Sequence, residues 1–244
     1  CPASDLDAVL LTLPNLEKAV LTDVVPTALS AQMPDLASLS TCTKLKTLLL
    51  RNIDLRSAPF LKDLGELETI YIENCSDFQD LGVPRNRLTK VNIINCPKLE
   101  SVGALSQCTA LTKLSLRKVK AHDLAEVFST CPNLKLLDVV AADPDMAGRI
   151  PDLDSLRHCS MLQRLVLSEI GLEHAPFLPA LTQLEFLDLS WNEELRVVHA
   201  PPSVVSADVS FTGGVEDVSS FTGAESLSLD GCISLDFRTL AGLR

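Results

Sequence analysis

The chain has 244 residues, 46% of them hydrophobic but only 4% aromatic, and a formal net charge of −11. Such an acidic surface repels phosphate backbones and anionic membranes, so nucleic acid is not expected as a partner. No run approaches the roughly 18–20 apolar residues that a membrane span needs, so no membrane span is expected.

The first predicted element is a return segment, with Leu6, Val9, Leu10 and Leu13 as its apolar positions. Its start, Cys1-Pro2-Ala3-Ser4, has no initiator Met and no signal pattern, and reads as a cut inside a longer chain. From there the pattern L-x-x-L-x-L recurs, with Val, Ile or Ala sometimes replacing Leu. Its first positions are Leu16, Leu45, Leu67, Leu88, Leu111, Leu134, Leu162, Leu184, Val204 and Ala224. Each unit opens with period-2 spacing, as at Val91 and Ile93, which predicts a short strand. Period-3 spacing follows, as at Cys96, Leu99, Val102, Leu105 and Cys108. That spacing predicts a tight return of 3₁₀ character, since three residues make one such turn. Two units are long, and their extra residues near Val25–Gln32 and Ala141–Gly148 are expected to form loops after the strands. The last return segment, Leu235, Leu240 and Leu243, has no polar cap after it. Further chain, or a covering partner, is expected at both ends.

Ten units of this form resemble the leucine-rich repeats, specifically their short class of about 22 residues, as in internalins and a regulatory subunit of protein phosphatase 1. The resemblance covers nearly the whole chain. It implies an α/β fold: a right-handed, curved solenoid with a parallel β-sheet on the concave face and 3₁₀ or short helical turns on the convex face. One domain, residues 1–244, of about ten coils is expected. The family places Asn at the ninth position of each unit to tie coils together. Here only Asn192 fits. The other slots hold Val24, Ile53, Cys75, Cys96, Val119, Ala142, Ile170, Thr212 and Cys232. The expectation is therefore a less regular ladder, held by packing more than by side-chain hydrogen bonds.

A longer repeat lies over the short one. Met33-Pro34-Asp35-Leu36 matches Ile150-Pro151-Asp152-Leu153, and Ala58-Pro59-Phe60-Leu61 matches Ala175-Pro176-Phe177-Leu178, both offset by 117 residues. We read a five-coil block used twice, approximately 14–130 and 132–244.

Seven of the eight cysteines fall in repeat slots. Cys42, Cys108, Cys131 and Cys159 stand three residues before a unit's first leucine, and Cys75, Cys96 and Cys232 take the ninth position. They read as small buried residues rather than disulfide partners, which predicts a reducing, cytoplasmic location. Cys1 is the exception, an expected exposed thiol. No C-x-x-C zinc spacing and no phosphate loop occurs, so neither metal nor cofactor is expected. His122, His158, His174 and His199 lack ligand spacing and are expected away from the strands. His158 beside Cys159 is not read as a catalytic pair, because adjacent residues of the return point different ways. The chain is read as not an enzyme.

Candidate binding residues come from strand alternation: the third, fifth and seventh residues of each unit point away from the core. On the expected concave face these include Leu49, Arg51, Tyr71, Glu73, Asn92, Lys113, Arg117, Asp138, Arg164, Phe186, Asp188 and Asp208, with Trp191 beside them. Lys90, Lys113, Arg117 and Arg164 make its middle basic, and Asp188, Asp208 and Asp230 make its C-terminal end acidic. Arg and aromatic side chains are enriched in interface hot spots. The expectation is a non-catalytic scaffold holding a protein partner in the concave arc, within a larger chain or assembly. A targeting subunit of a phosphatase, a substrate receptor of a ubiquitin ligase and a surface adhesin are the alternatives.

Overall fold

The computed structural model describes residues 3–24, 36–83, 87–141 and 153–242. The chain forms two compact units, Cys1–Ala121 and His122–Arg244. The first holds helix α1 (Ala3–Leu10) and strands β1 (Lys18–Thr22), β2 (Thr47–Arg51), β3 (Thr69–Glu73), β4 (Lys90–Cys96) and β5 (Lys113–Val119). The second holds helix α2 (Leu124–Thr130) and strands β6 (Leu136–Val140), β7 (Arg164–Ser168), β8 (Phe186–Asp188), β9 (Ser206–Asp208) and β10 (Ser226–Ser228). In each unit the strands pair in parallel, in sequence order, with the expected register: Leu48 sits beside Ile70, Ile70 beside Val91, and Val91 beside Leu114. In the second unit Leu165 sits beside Leu187, and Leu187 beside Ala207.

The inward columns are Leu48, Ile70, Val91 and Leu114 in the first unit and Leu165 and Leu187 in the second, each at most 2% exposed. Burying one such side chain stabilises the fold by about 1.5–3 kcal/mol. A coil needs a neighbour on each side for that. Leu227 and Leu229, in the last described strand and just after it, are only half-buried, whereas Leu187 and Leu189 are fully buried.

The returns explain the three-residue period. Leu105 N–H donates to Val102 O, Cys108 N–H to Leu105 O and Leu111 N–H to Cys108 O, at 2.8–2.9 Å. Each such bond closes a 3₁₀-type turn and brings every third side chain inward. Leu99, Val102, Leu105 and Cys108 are accordingly at most 1% exposed. Short 3₁₀ segments occupy Ala37–Thr41, Pro59–Asp63, Gly103–Gln107, Leu153–His158, Leu178–Ala180 and Phe237–Gly242. Two isolated parallel bridges on the return side, Ser57 with Asp80 and His174 with Val197, stand at the same 117-residue offset as the internal sequence match.

The ladder between coils runs only partly through the ninth position. Asn192 behaves as expected: fully buried, its Oδ1 accepts from Ile170 N–H and Leu172 N–H, and its Nδ2 donates to Leu167 O and Leu189 O. In the first unit a second ladder runs one residue earlier. Asn52 Nδ2 donates to Asp23 Oδ1 at 2.8 Å, Asn74 Nδ2 to Asn52 Oδ1 at 3.0 Å and Asn95 Nδ2 to Asn74 Oδ1 at 3.0 Å. All four residues have φ of 53–54°. Asn and Asp tolerate this left-handed region best among non-glycine residues. Side-chain hydrogen bonds thus join the coils of the first unit at a position other than the family's asparagine slot, beside the packing expected to hold them. The same turn position continues through Lys118, Glu169, Trp191 and Phe211 and reaches Gly231, all at positive φ.

The two expected loops near 25–32 and 141–148 lie outside the described residues, Ala141 excepted, as do Cys1 and the ninth-position Ala142.

Candidate binding surface

Alternation along β2–β5 presents the expected outward residues. Leu49, Tyr71, Asn92 and Ser115 form one row across the four strands, all half-buried. Beside that row Arg51 and Glu73 are paired. Arg51 Nε and Nη2 lie 2.7 and 2.6 Å from Glu73 Oε2. The pair fixes both side chains on adjacent strands, a charge-assisted contact with a defined geometry. Asn92 Oδ1 is buried and has no hydrogen-bond partner among the described residues. Lys90 and Lys113 stand side by side and Arg117 stands beside Ile94, all three cations exposed. The first unit therefore offers an apolar, ring-bearing row beside an ion pair, with a basic end.

The second unit departs from simple alternation. Asp138 is only 8% exposed and Val166 only 4%, although both sit at outward positions. Asp138 lies between Leu136 and Val140 on its own strand and beside Val166 on the next. Asp138 is thus far less open than its outward position leads one to expect. Arg164 lies over the Phe186 ring, its guanidinium carbon 3.6 Å from the ring centre. Asp188 Oδ1 accepts from Ser190 N–H at 3.0 Å and from its hydroxyl at 2.6 Å, and Asp208 Oδ1 accepts from Ser210 N–H at 2.9 Å. Both aspartates are half-buried turn-formers as well as surface charges. Trp191 does not project from a strand: it occupies the left-handed turn after β8, φ 60°, and stacks on Phe211.

The seven described cysteines are free and buried. Burial pushes the Cys159 thiol up to about 12 and also raises Cys131. Cys96 is raised by its hydrogen bond to Cys75 and by burial. Cys159 Sγ donates to Phe128 O at 3.4 Å inside the core, while neighbouring His158 is exposed. The two cannot act together, as alternation in the return requires. His122, His174 and His199 are also exposed and outside the strands. Among the described residues no group of His, Cys, Asp or Glu is placed to hold a metal ion, and no helix is long and apolar enough to cross a membrane.

No family model matches the chain. Among solved structures the chain is similar to the LRIM1/APL1C complex, with a TM-score of 0.54 and 14% identity over 88% of this chain and 44% of that one. The chain has the leucine-rich-repeat fold. An LRR protein of Leptospira interrogans aligns at a TM-score of 0.47 and 16% identity, over 90% of this chain and 73% of that one. The functional domain of InlJ from Listeria monocytogenes aligns at 0.45 and 17%, over 95% of this chain and 58% of that one. The chain thus spans less than two thirds of the InlJ domain and of the LRIM1/APL1C chain. All the sequence-selected residues except Trp191 and Asp138 lie half-buried or exposed at outward positions of their strands.

Sequence reasoning singled out Trp191 but missed its stacking on Phe211. The signal was the turn column one residue before the ninth slot. Read down that column, the residues are Asp, Asn, Asn, Asn and Lys in the first unit and Ala, Glu, Trp, Phe and Gly in the second.

Proposed function

We propose that the chain is a non-catalytic protein-interaction module that holds a protein partner against the outward strand faces of its leucine-rich-repeat coils, in a reducing, cytoplasmic compartment. The observation that carries this reading is the composition of those faces. Leu49 and Tyr71 form an apolar row flanked by the fixed Arg51–Glu73 pair, and Arg164 is pre-stacked on Phe186. Rigid strands holding aromatic and Arg side chains in place reduce the entropy lost on binding. The LRIM1/APL1C structure is itself a protein complex on this fold, which supports the reading by analogy. Seven buried free thiols support the reducing compartment.

The test is affinity measurement against the partner isolated with the native protein. Arg117→Glu combined with Phe186→Ala is expected to weaken capture by about tenfold or more. The return-side change Lys62→Glu is expected to leave it unaltered. Equal capture by all three proteins would remove the strand-face reading.

A further inference from the structure

Bulky residues avoid the left-handed region, yet Trp191 and Phe211 both occupy it, at φ 60° and 58°. In the first unit the same turn position carries Asp and Asn, whose side chains bond to one another along the column. In the second unit it carries two rings, with centroids 4.0 Å apart and planes 17° from parallel. Neither ring is used up by the core: Trp191 is 50% exposed and Phe211 39%. The left-handed turn recurs at this position of the repeat, and here it holds an aromatic pair half in water.

The next coil is shaped around the pair. At Gly231, φ +69°, an added Cβ would lie 2.7 Å from Phe211 Cδ1, so only glycine lets the next turn pack this closely beside that ring. Two residues on, Ile233 is 88% exposed. The rings, Gly231 and Ile233 line one open groove of about 610 Å³. Its rim carries Glu193, Glu194 and Glu216, all exposed, against the single cation Arg196.

Apolar ring faces beside an excess of carboxylate select a cation with a flat or carbon-rich body. A guanidinium gains from the ring face and from the carboxylates together. The same unit already makes this contact internally, Arg164 over Phe186 at 3.6 Å. An acidic ligand is repelled by the rim. We propose that this groove docks an arginine-bearing, basic segment of a protein partner, with a guanidinium on the exposed Trp191–Phe211 surface and its neighbours paired to the rim glutamates. The site lies on the turns, and its occupancy does not depend on the strand-face reading.

Trp191 is the only tryptophan in the chain, so its emission reports the groove directly. The experiment titrates the full chain with a short Gly-Arg repeat peptide at physiological ionic strength. Saturable quenching or shift of the emission is expected. The variant E193Q/E194Q/E216Q is expected to raise Kd about tenfold or more, and Phe211→Leu several-fold. The equal-charge control D63N/E68Q/E100Q, exposed in the first unit, is expected to stay within about twofold. Urea unfolding of each variant confirms that it is folded. Three results would overturn the proposal: no saturable change with the Gly-Arg peptide, equal weakening by the control triple, or an equal response to a Gly-Glu repeat peptide or a neutral oligosaccharide.

Discussion

Arg164 and Phe186 stand opposite each other on neighbouring parallel strands, and the guanidinium carbon lies 3.6 Å from the ring centre. The contact ties one coil to the next on the surface that would otherwise hold two independent side chains. Its geometry predicts coupling. Arg164→Gln and Phe186→Leu should each cost about 0.5–1 kcal/mol of stability, and the double variant should cost less than their sum. A double-mutant cycle in urea reads the coupling energy.

Asn192 should be the most sensitive polar residue of the second unit. Its amide satisfies two buried N–H groups and two buried carbonyls from two coils. Asn192→Ala orphans all four, each worth about 1–3 kcal/mol when left unsatisfied, so the loss should exceed about 3 kcal/mol. The midpoint of chemical unfolding measures it.

The exposed ladder of the first unit should behave differently. Asn74 shares hydrogen bonds with Asn52 and Asn95 at the surface and holds φ 54°. Asn74→Ala loses the bonds and strains the backbone, for about 1–2 kcal/mol, whereas Asn74→Gly loses only the bonds and should cost less. The order of the two unfolding midpoints decides between strain and hydrogen bonding as the larger effect.

The buried thiols set an alkaline limit. The Cys159 thiol is raised by burial to about 12 from an ordinary value of 9.0. A group raised in the folded state contributes its stability below the unfolded value and loses it as pH climbs through the folded one. Stability should therefore fall between about pH 9 and 12, and Cys159→Ser should flatten that fall. In the same experiment at pH 8, a thiol reagent should leave the seven described cysteines unmodified until denaturant is added. Disulfide-linked pairs, seen as missing thiols after unfolding, would end the proposed reducing location.

Gly231→Ala should disturb the aromatic pair without touching either ring. The new methyl group meets Phe211 at 2.7 Å on a left-handed backbone. The Trp191 emission should shift, with a stability loss of about 1–2 kcal/mol.

The coil architecture was legible because its signal is repetition: one leucine is ambiguous, but Leu48, Ile70, Val91 and Leu114 at matching offsets can only share a column. The return turns were legible for the same reason, since a three-residue period needs 3₁₀ geometry. The Asp23–Asn52–Asn74–Asn95 ladder was not, because it depends on backbone handedness one residue before the slot where the family keeps its asparagine. The burial of Asp138 was equally invisible. Alternation assigns a side chain to a face but says nothing about how tall its neighbours are. The groove at Trp191 combines both effects: it needs the positive φ of two turns and the missing side chain of a third.

Position-specific photo-crosslinking in the native cell tests the central claim most directly. A benzophenone side chain placed at Tyr71, Lys113 or Phe186 should trap one and the same partner, and one placed at Lys62, Glu100 or Pro179 on the returns should not. Trapping from the return positions, with silence from the strand positions, would contradict binding through the strand faces.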